Sequence, residues 1–360
     1  MAPDAAQSYV EPTTVELFLL TTFIRGLFPE YVEGEDLQLF LKDVGPSSTR
    51  GMPITCKIVK AYRPFTMSPV LLVSILPSAA SPEKAYSRPP TVILKLYDRR
   101  CFTNIRSDFD EGKPWSLEKE KEYRLYLDGV SNGSATSLDF GSPTFFYDND
   151  VSDGEFEAYL RHVAQRTFDA ERAAYERLRE LQGRLLPTLY GAVEFEVVIP
   201  NTRDESGVVT ETVPGLLLEF VSSLSLRQLI TTWKTRDPPL PNTVLAAVCE
   251  EAVRVVDRVN DFEVLNEDVR VDNFLIREEL LISYAQGDAA TLDGAVVLID
   301  LGQCRFRRED ESEDEWIQAK WSQDETGAIG FIALNLVRRF VGEDVWRYER
   351  DLRYYRPLEE

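Results

Sequence analysis

Three polar residues in two short segments have the types and the spacing that phosphoryl transfer uses. Asp268 and Asn273 lie five residues apart in a polar loop that leads into an apolar stretch, and Asp300 ends the apolar run 295–299. One aspartate can orient an acceptor hydroxyl, while an aspartate and an asparagine can hold Mg²⁺. The segments therefore predict metal-assisted phosphoryl transfer, with Asp268 beside the acceptor and with Asn273 and Asp300 as metal ligands.

Each of these residues also has a purely structural interpretation. Asp268 could cap a turn, and the amide of Asn273 could satisfy backbone groups. Asp300 is harder to explain in this way, because a carboxylate that closes an apolar run is costly to bury without a partner or a metal. The joint spacing of the three residues favours the functional interpretation.

The composition excludes several other classes of function. The 360 residues include 61 Asp and Glu against 40 Lys and Arg, for a net charge of −21. This charge repels nucleic-acid backbones and anionic membranes, so we expect neither as a partner. The single histidine, His162, removes multi-histidine metal sites and makes a Ser-His-Asp triad depend on that residue alone. Catalysis is therefore expected to use carboxylates.

The chain also has the features of an intracellular protein. Its four cysteines are scattered without a CxxC pair, which indicates core thiols in a reducing compartment. The N-terminus lacks the basic and apolar regions of a secretory signal, and no apolar stretch reaches the roughly 18 residues of a membrane span. The expected location is the cytoplasm or the nucleus.

Apolar, β-branched runs bounded by turn residues predict five strands in the first part of the chain. The runs cover 54–62, 70–76, 91–97, 191–199 and 213–221. A helical pattern over about 166–181 precedes the fourth strand. The mixed, polar stretch 101–165, with a charged helical piece at 115–127, has the character of an insertion. Residues 15–28 follow a capping-box sequence and are predicted to form an apolar helix that packs on the domain.

The second part of the chain is mostly helical. Helical spacing covers 225–233 and 242–260, and the chain is helical again from 325. Two short strands at 273–277 and 295–300 interrupt these helices.

In this order, the segments resemble the protein kinase-like superfamily. The loop that begins at Asp268 is similar to HRDxxxxN in its Asp and Asn spacing, and the residues from Asp300 resemble DFG with Leu301 in place of Phe. The run VILK, which ends at Lys95, resembles the VAIK strand, and ERAAYERL resembles helix αC. The sequence around these motifs resembles uncharacterised kinase-like proteins of filamentous fungi.

The resemblance implies a bilobal α+β fold with a five-stranded antiparallel N-lobe, an αC helix and a reduced, mainly helical C-lobe. Residues 1–50 would be an N-terminal helical extension. Residues 51–221 would form the N-lobe with the insertion at about 101–165, and residues 222–360 would form a truncated C-lobe.

The same resemblance implies roles for residues outside the metal site. Lys95 would anchor the phosphates of ATP and Glu171 would be its ion-pair partner. The backbone of Glu219, Phe220 and Val221 would meet adenine. Taken alone, Lys95 could be a solvated edge residue and Glu171 could belong to an exposed helix face with i, i+4 ion pairs.

Three departures from the superfamily pattern affect this interpretation. Residues 52–94 contain no glycine, so the turn that would cover the phosphates lacks a Gly-rich loop, and we expect Arg63 to supply charge there. Asn266 stands at the place of the loop histidine, and Glu267 at that of an arginine that often receives an activation-loop phosphate. Arg270 stands at the place of a lysine near the transferred phosphate.

The C-terminal part is short for a protein kinase, since only 58 residues follow Gly302. An acidic run at 309–315 follows the basic RFRR, and such a run is either a solvated face or an element that acts on charged substrates. The predicted function is an ATP- and Mg²⁺-dependent phosphotransferase acting on a hydroxyl of a protein or small molecule. Aminoglycoside and choline phosphotransferases share this motif order. The alternative is a weak or inactive pseudokinase that acts as a binding module.

Overall fold

The computed structural model describes most of the chain from residue 31 onward. The described residues are 31–42, 51–77, 90–109, 112–137, 140, 151–200, 207–288 and 290–355. The predicted helix at 15–28 lies outside these residues.

Six antiparallel strands of the described residues close a barrel. They are β1 (Asp36–Lys42), β2 (Met52–Ala61), β3 (Val70–Ile75), β4 (Thr91–Leu96), β5 (Leu189–Pro200) and β6 (Val208–Glu219). Around the barrel the order is β1-β2-β3-β4-β6-β5. Alternate residues of these strands face inward, so their aliphatic side chains fill the interior of the barrel.

The five predicted strands are confirmed, but a sheet of only five strands is wrong. Strand β1 pairs with both β2 and β5 and closes the sheet, and it lies within the stretch 1–50 that was expected to be a helical extension. Its sequence, DLQLFLK, alternates in burial, with Leu37, Leu39 and Leu41 turned inward. Pairing with β2 and β5 gives the backbone N–H and C=O groups of β1 hydrogen-bond partners on both edges.

Eight α-helices occur in the described residues. They are α1 (Thr103–Phe109), α2 (Leu117–Asn132), α3 (Asp153–Arg177), α4 (Leu226–Thr232), α5 (Asn242–Asn260), α6 (Glu278–Gln286), α7 (Glu313–Gln323) and α8 (Glu325–Phe340). The predicted helices at 115–127, 225–233, 242–260 and 325 onward are confirmed by α2, α4, α5 and α8.

Helix α3 starts earlier than the expected position near residue 166. It spans 25 residues and begins after Ser152, whose side chain forms a reciprocal capping box with Glu155. Its first half buries Phe156, Leu160 and Val163. The charged residues between these positions hid the helical period in the sequence. Part of the expected insertion 101–165 is therefore the first half of α3.

A buried ion cluster attaches this region to the barrel. The guanidinium of Arg99 lies 2.5 Å from carboxylate oxygens of Glu120 on α2 and Glu157 on α3, and 3.0 Å from Glu211 on β6. Arg106 adds a second cation, 2.6 Å from Glu157. Buried charges of this kind are tolerated only when they are paired and hydrogen-bonded. The cluster therefore joins α2, α3 and β6 through one guanidinium.

Two short sheets connect the helices that follow β6. Strand β9 (Phe274–Ile276) pairs with β10 (Val296–Leu298) and β7 (Leu224–Ser225), while β8 (Val264–Asn266) pairs with β11 (Cys304–Phe306). The strands β9 and β10 match the predicted runs at 273–277 and 295–300. One apolar core joins these strands, α5, α8 and the inner face of α3. All four cysteines are buried and unpaired, as expected. Among the described helices, none combines the length and the apolar character needed to cross a bilayer.

We expect Arg99→Met to lower the free energy of unfolding by about 3–5 kcal/mol, because it leaves buried glutamates without their shared cation. Urea denaturation would measure the change. The control is Arg172→Met, which removes an exposed i, i+4 pair with Glu176 and should cost less than about 1 kcal/mol. Equal effects of the two substitutions would contradict the structural role of the cluster.

Candidate active site

Three of the predicted site residues meet at one ammonium group. The Nζ atom of Lys95 lies 2.6 Å from Oε2 of Glu171 and 2.6 Å from Oδ1 of Asp300. The two contacts span 76 and 205 residues of sequence. Strand β4, helix α3 and the turn after β10 each contribute one residue, so the contact joins the barrel to the helical part of the chain.

The structural alternatives for Lys95 and Glu171 are wrong. Lys95 is 7% exposed rather than a solvated edge residue, and Glu171 is fully buried. The exposed i, i+4 pair on α3 is the neighbouring Arg172 with Glu176. Tyr97 fixes Glu171 further, because its hydroxyl donates a 2.7 Å hydrogen bond to the same Oε2 atom. Tyr97 follows Lys95 by two residues, just beyond the end of β4 at Leu96, and its hydroxyl reaches the same Glu171 oxygen as the Lys95 ammonium.

The charges of the group depend on one another. Burial opposes the charge on Lys95, but Asp300 and Glu171 outweigh it and raise the pKa of the ammonium. The Lys95 charge holds the pKa of Asp300 below its usual value, against the effect of burial. Burial raises the pKa of Glu171 despite its pairing with Lys95. The cation is therefore held by one fully buried and one more accessible carboxylate.

The backbone around Asp300 brings its carboxylate to Lys95. Asp300 has a φ of +64°, a left-handed conformation that aspartate tolerates better than most residues, and it ends the extended path of β10. Gly302 then passes close to α3. A Cβ atom at this position would lie 2.7 Å from Cγ2 of Thr167 and 3.1 Å from Oε2 of Glu171. Only glycine leaves room for this approach to the helix.

Strand pairing places Asn273 beside the turn that carries Asp300. Leu298 of β10 pairs with Phe274 of β9, and one step further the backbone N–H of Ile299 donates to the carbonyl of Asn273 at 2.8 Å. Asn273 therefore lies opposite the residue that precedes Asp300. The Nδ2 atom of Asn273 donates to the carbonyl of Asp268 at 3.0 Å, which ties it to the loop.

Asp268 lies on the same loop with its side chain half-buried. Burial raises the pKa of its carboxyl group, and the guanidinium of Arg270, 2.9 Å away, opposes this effect. The Arg270 side chain is 58% exposed. The loop thus presents one partly desolvated carboxylate beside one accessible cation.

A second buried ion pair, between Lys320 and Glu325, supports the loop of Asp268. The sequence motifs did not indicate this pair. The side chain of Asn266 accepts a 2.9 Å hydrogen bond from the backbone N–H of Asp268, and its own backbone N–H donates to Glu325 at 2.7 Å. Glu325, at the start of α8, is paired with the fully buried Lys320 of α7. A lysine in a helical segment is normally solvated, so only the tertiary contacts distinguish Lys320 from surface lysines.

The donor atoms present fit one magnesium ion. The side chain of Asp300 remains 38% exposed, and carboxylate and amide oxygens are ligands that Mg²⁺ accepts. In the described part of the chain, no cluster of three or more His, Cys, Asp or Glu residues could hold a metal on its own. A magnesium ion at Asp300 and Asn273 would therefore take its other ligands from phosphate groups and water, as is usual for this metal.

The segment predicted to meet adenine follows directly from β6. The side chain of Glu219 accepts hydrogen bonds from the backbone N–H and the hydroxyl of Thr188, each at 3.0 Å, and pairs with Arg277 at 2.6 Å. Phe220 is 36% exposed and Val221 is buried. The Glu219 carboxylate therefore fixes the path of this segment.

Arg63 lies in the turn between β2 and β3. Val70 of β3 pairs with Lys95 of β4, so the turn is at the same end of the barrel as Lys95. The guanidinium of Arg63 lies over the ring of the buried Phe65, 4.6 Å from its centroid. The structure thus places a cation at the expected end of the sheet.

The solved structures that are similar to this chain include one kinase domain of low similarity. No family model matches the chain, and no curated protein matches it. The ROP18 kinase domain, solved in complex with AMP-PNP and sucrose, is similar with 11% sequence identity and a TM-score of 0.36. The alignment covers 81% of this chain and 62% of that one, so the chain spans about three fifths of the neighbour's length.

We expect Gly302→Ala to lower the free energy of unfolding by about 1–3 kcal/mol, because the new methyl group overlaps Thr167 and presses on Glu171. Thermal or urea denaturation would measure this. Gly342→Ala is the control, since its Cβ would meet only Val345 at an ordinary 3.6 Å. Adding Thr167→Ala should recover part of the loss, and an unchanged loss would show that the close approach to α3 is not the cause.

Proposed function

We propose that the chain is an ATP- and Mg²⁺-dependent phosphotransferase with a bilobal protein kinase-like fold. The observation that carries the proposal is the contact of Lys95 with both Glu171 and Asp300 at 2.6 Å. A buried lysine held by a helix carboxylate, beside an accessible aspartate, is the arrangement that anchors and neutralises nucleotide phosphates in this superfamily. The ordered motifs of the sequence support the same conclusion.

In this proposal the Lys95 ammonium binds the phosphates of ATP and Glu171 keeps it in place. Tyr97 holds the shared Glu171 oxygen from the other side. Asp300 and Asn273 would hold the magnesium ion, which supplies neutralisation of phosphate charge when bound. The pairing of β9 with β10 supports this assignment, because it holds Asn273 beside the turn that carries Asp300.

Asp268 orients the acceptor and receives its proton. The acceptor oxygen bonds to the γ-phosphorus while the bond from that phosphorus to the bridging oxygen of ADP breaks. The hydroxyl proton passes to the Asp268 carboxylate. Its raised pKa favours this role, since a partly desolvated carboxylate holds a proton better than an exposed one. Arg270, which is accessible beside it, supplies positive charge near the transferred phosphate.

The remaining assignments concern the nucleotide base, the acceptor, the cellular location and the two lobes. The backbone of Glu219, Phe220 and Val221 meets adenine. The acceptor is a hydroxyl of a protein or a small molecule, and the short chain after Gly302 suits either. We propose that the chain is intracellular and that it resembles the uncharacterised kinase-like proteins of filamentous fungi. Residues 51–221, together with strand β1, form one lobe, and residues 222–360 form the other.

A pseudokinase is the second candidate, and one observation favours it. The turn between β2 and β3 contains no glycine, so its backbone amides have less freedom to approach phosphates closely. A protein of this kind would keep the fold and bind a partner or a nucleotide without turnover.

We expect MgATP to raise the melting temperature of the purified protein, because a ligand that binds the native state stabilises it. Asp300→Ala should lose the magnesium-dependent part of this shift, and EDTA should remove the same part from the unchanged protein. Asp268→Ala should retain the shift but lose ATP turnover, since Asp268 acts on the acceptor.

Asp272→Ala is the matched control, because Asp272 lies in the same loop but pairs with Arg227 at the surface. It should retain both the shift and turnover. The absence of any shift at saturating MgATP would rule out the nucleotide site. A shift without turnover across protein and small-molecule acceptors would instead support the pseudokinase.

We expect Arg63→Ala to raise the Kd for MgATP by about tenfold, the effect of losing one charge-assisted hydrogen bond to phosphate. Isothermal titration calorimetry would measure the change. The control is Lys60→Ala, which removes an exposed cation from the same end of β2, where Lys60 lies over Tyr62. Equal Kd values for Arg63→Ala and the unchanged protein would show that Arg63 does not contact the phosphates.

A further inference from the structure

The segment that follows Asp300 is attached to the loop of Asp268 by strand pairing. Strand β11 pairs with β8, with Arg305 opposite Leu265. The backbone N–H of Glu267 donates to the carbonyl of Gln303 at 3.1 Å, which continues the ladder to the residue just before Asp268. Beyond β11 the chain turns through residues 307–312 and enters α7.

One glutamate of the acidic run closes this turn. Glu311 forms a two-pronged ion pair with Arg305, in which each carboxylate oxygen lies 3.0 Å from one guanidinium nitrogen. The Glu311 carboxylate also accepts the backbone N–H of Arg308 at 3.1 Å. The residue is only 6% exposed, although its neighbours Glu309 and Asp310 are exposed. Paired geometry of this kind is the strongest that arginine makes with a carboxylate.

Arg305 also faces the loop of Asp268. Its Nε atom lies 3.9 Å from Oε1 of Glu267, and its guanidinium lies 5.1 Å from the ring centre of Trp316. The cation therefore stands between a carboxylate of the loop and a carboxylate of the following segment. By resemblance to the kinase-like superfamily, Glu267 stands where an arginine often receives an activation-loop phosphate. In this chain the loop therefore carries a carboxylate at that position, and the following segment carries the arginine, Arg305.

Two further carboxylates of the acidic run pair with arginines of the same segment. Arg307 pairs with Glu313 at 2.6 Å, and Arg308 lies 3.4 Å from Asp310. Part of the acidic run is therefore the partner of the basic RFRR that precedes it.

Phosphorylation orders comparable segments by giving an arginine a negatively charged partner. Here the carboxylate of Glu311 already provides that partner. Ser312 is the only residue with a hydroxyl group between 303 and 315. That hydroxyl accepts the backbone N–H of Glu315 at 3.2 Å as the cap of α7 and donates to the Glu315 carboxylate at 2.8 Å.

We propose that Arg305 and Glu311 form a permanent latch that holds the segment 303–312 against the loop of Asp268 without phosphorylation. Glu311 is a positioning residue, since it acts through Arg305 and touches neither ATP nor acceptor. The consequence for turnover rests on the proposed function. The latch itself is a property of the fold and can be tested separately.

Hydrogen exchange of the full chain tests the latch directly. In Glu311→Gln, amide exchange within 303–312 should become about tenfold faster or more, because one charged pair of hydrogen bonds is lost. Glu309→Gln removes the same charge from an exposed position of the same run and should leave exchange unchanged. Equal exchange in the two variants would overturn the latch, whether or not the protein is an enzyme.

Measurements of turnover and of nucleotide binding distinguish loss of the latch from a general loss of folding. Glu311→Gln should keep the MgATP-dependent rise in melting temperature and the KM for ATP, but lose about tenfold in kcat, while Glu311→Asp should recover part of it. Phosphatase treatment of the unchanged protein should leave kcat unchanged. A fall in kcat after that treatment would overturn phosphate independence. If the unchanged protein has no turnover, the proposed enzyme activity fails and the exchange experiment alone decides the latch.

Discussion

A single buried ammonium group joins the two halves of this molecule. Lys95 comes from the barrel, Glu171 from the long helix α3 and Asp300 from the turn after β10, and the Glu171 carboxylate could not be buried as a charged group without the cation. The position of each element is therefore constrained by the other two. If α3 moved away from the barrel, Lys95 would lose one of its two carboxylate partners and Glu171 would lose its cation.

The same principle recurs at two other places in the fold. Arg99 joins α2, α3 and β6 through three glutamates, and Lys320 joins α7 to the loop of Asp268 through Glu325. In each case one cation from one element satisfies carboxylates from others. The chain has a net charge of −21, and a buried carboxylate needs a cation beside it. The few buried cations therefore lie at the junctions between elements.

The elements of the fold could be predicted where periodicity was strong. Five strands and most of the later helices appear as clear patterns, because alternate or every third to fourth residue is apolar. Strand β1 and the first half of α3 could not be located. Strand β1 is a short run that becomes part of the sheet by pairing with β5, about 150 residues further along the chain. The second is rich in charged residues such as Glu157, which are buried only because Arg99 meets them.

For the candidate site, the sequence determined the residue types and their order: a lysine in a strand, a glutamate in a helix, and two aspartates with an asparagine at fixed spacing. It also determined the close approach at Gly302, since no other residue lacks a Cβ atom. The tertiary structure decided which of many similar charges are used. It selected Glu311 over Glu309, and it selected Lys320 as a buried residue. Local sequence carries no information about the partner that a charge will meet, because that partner comes from a distant element whose position is fixed only when the chain is packed.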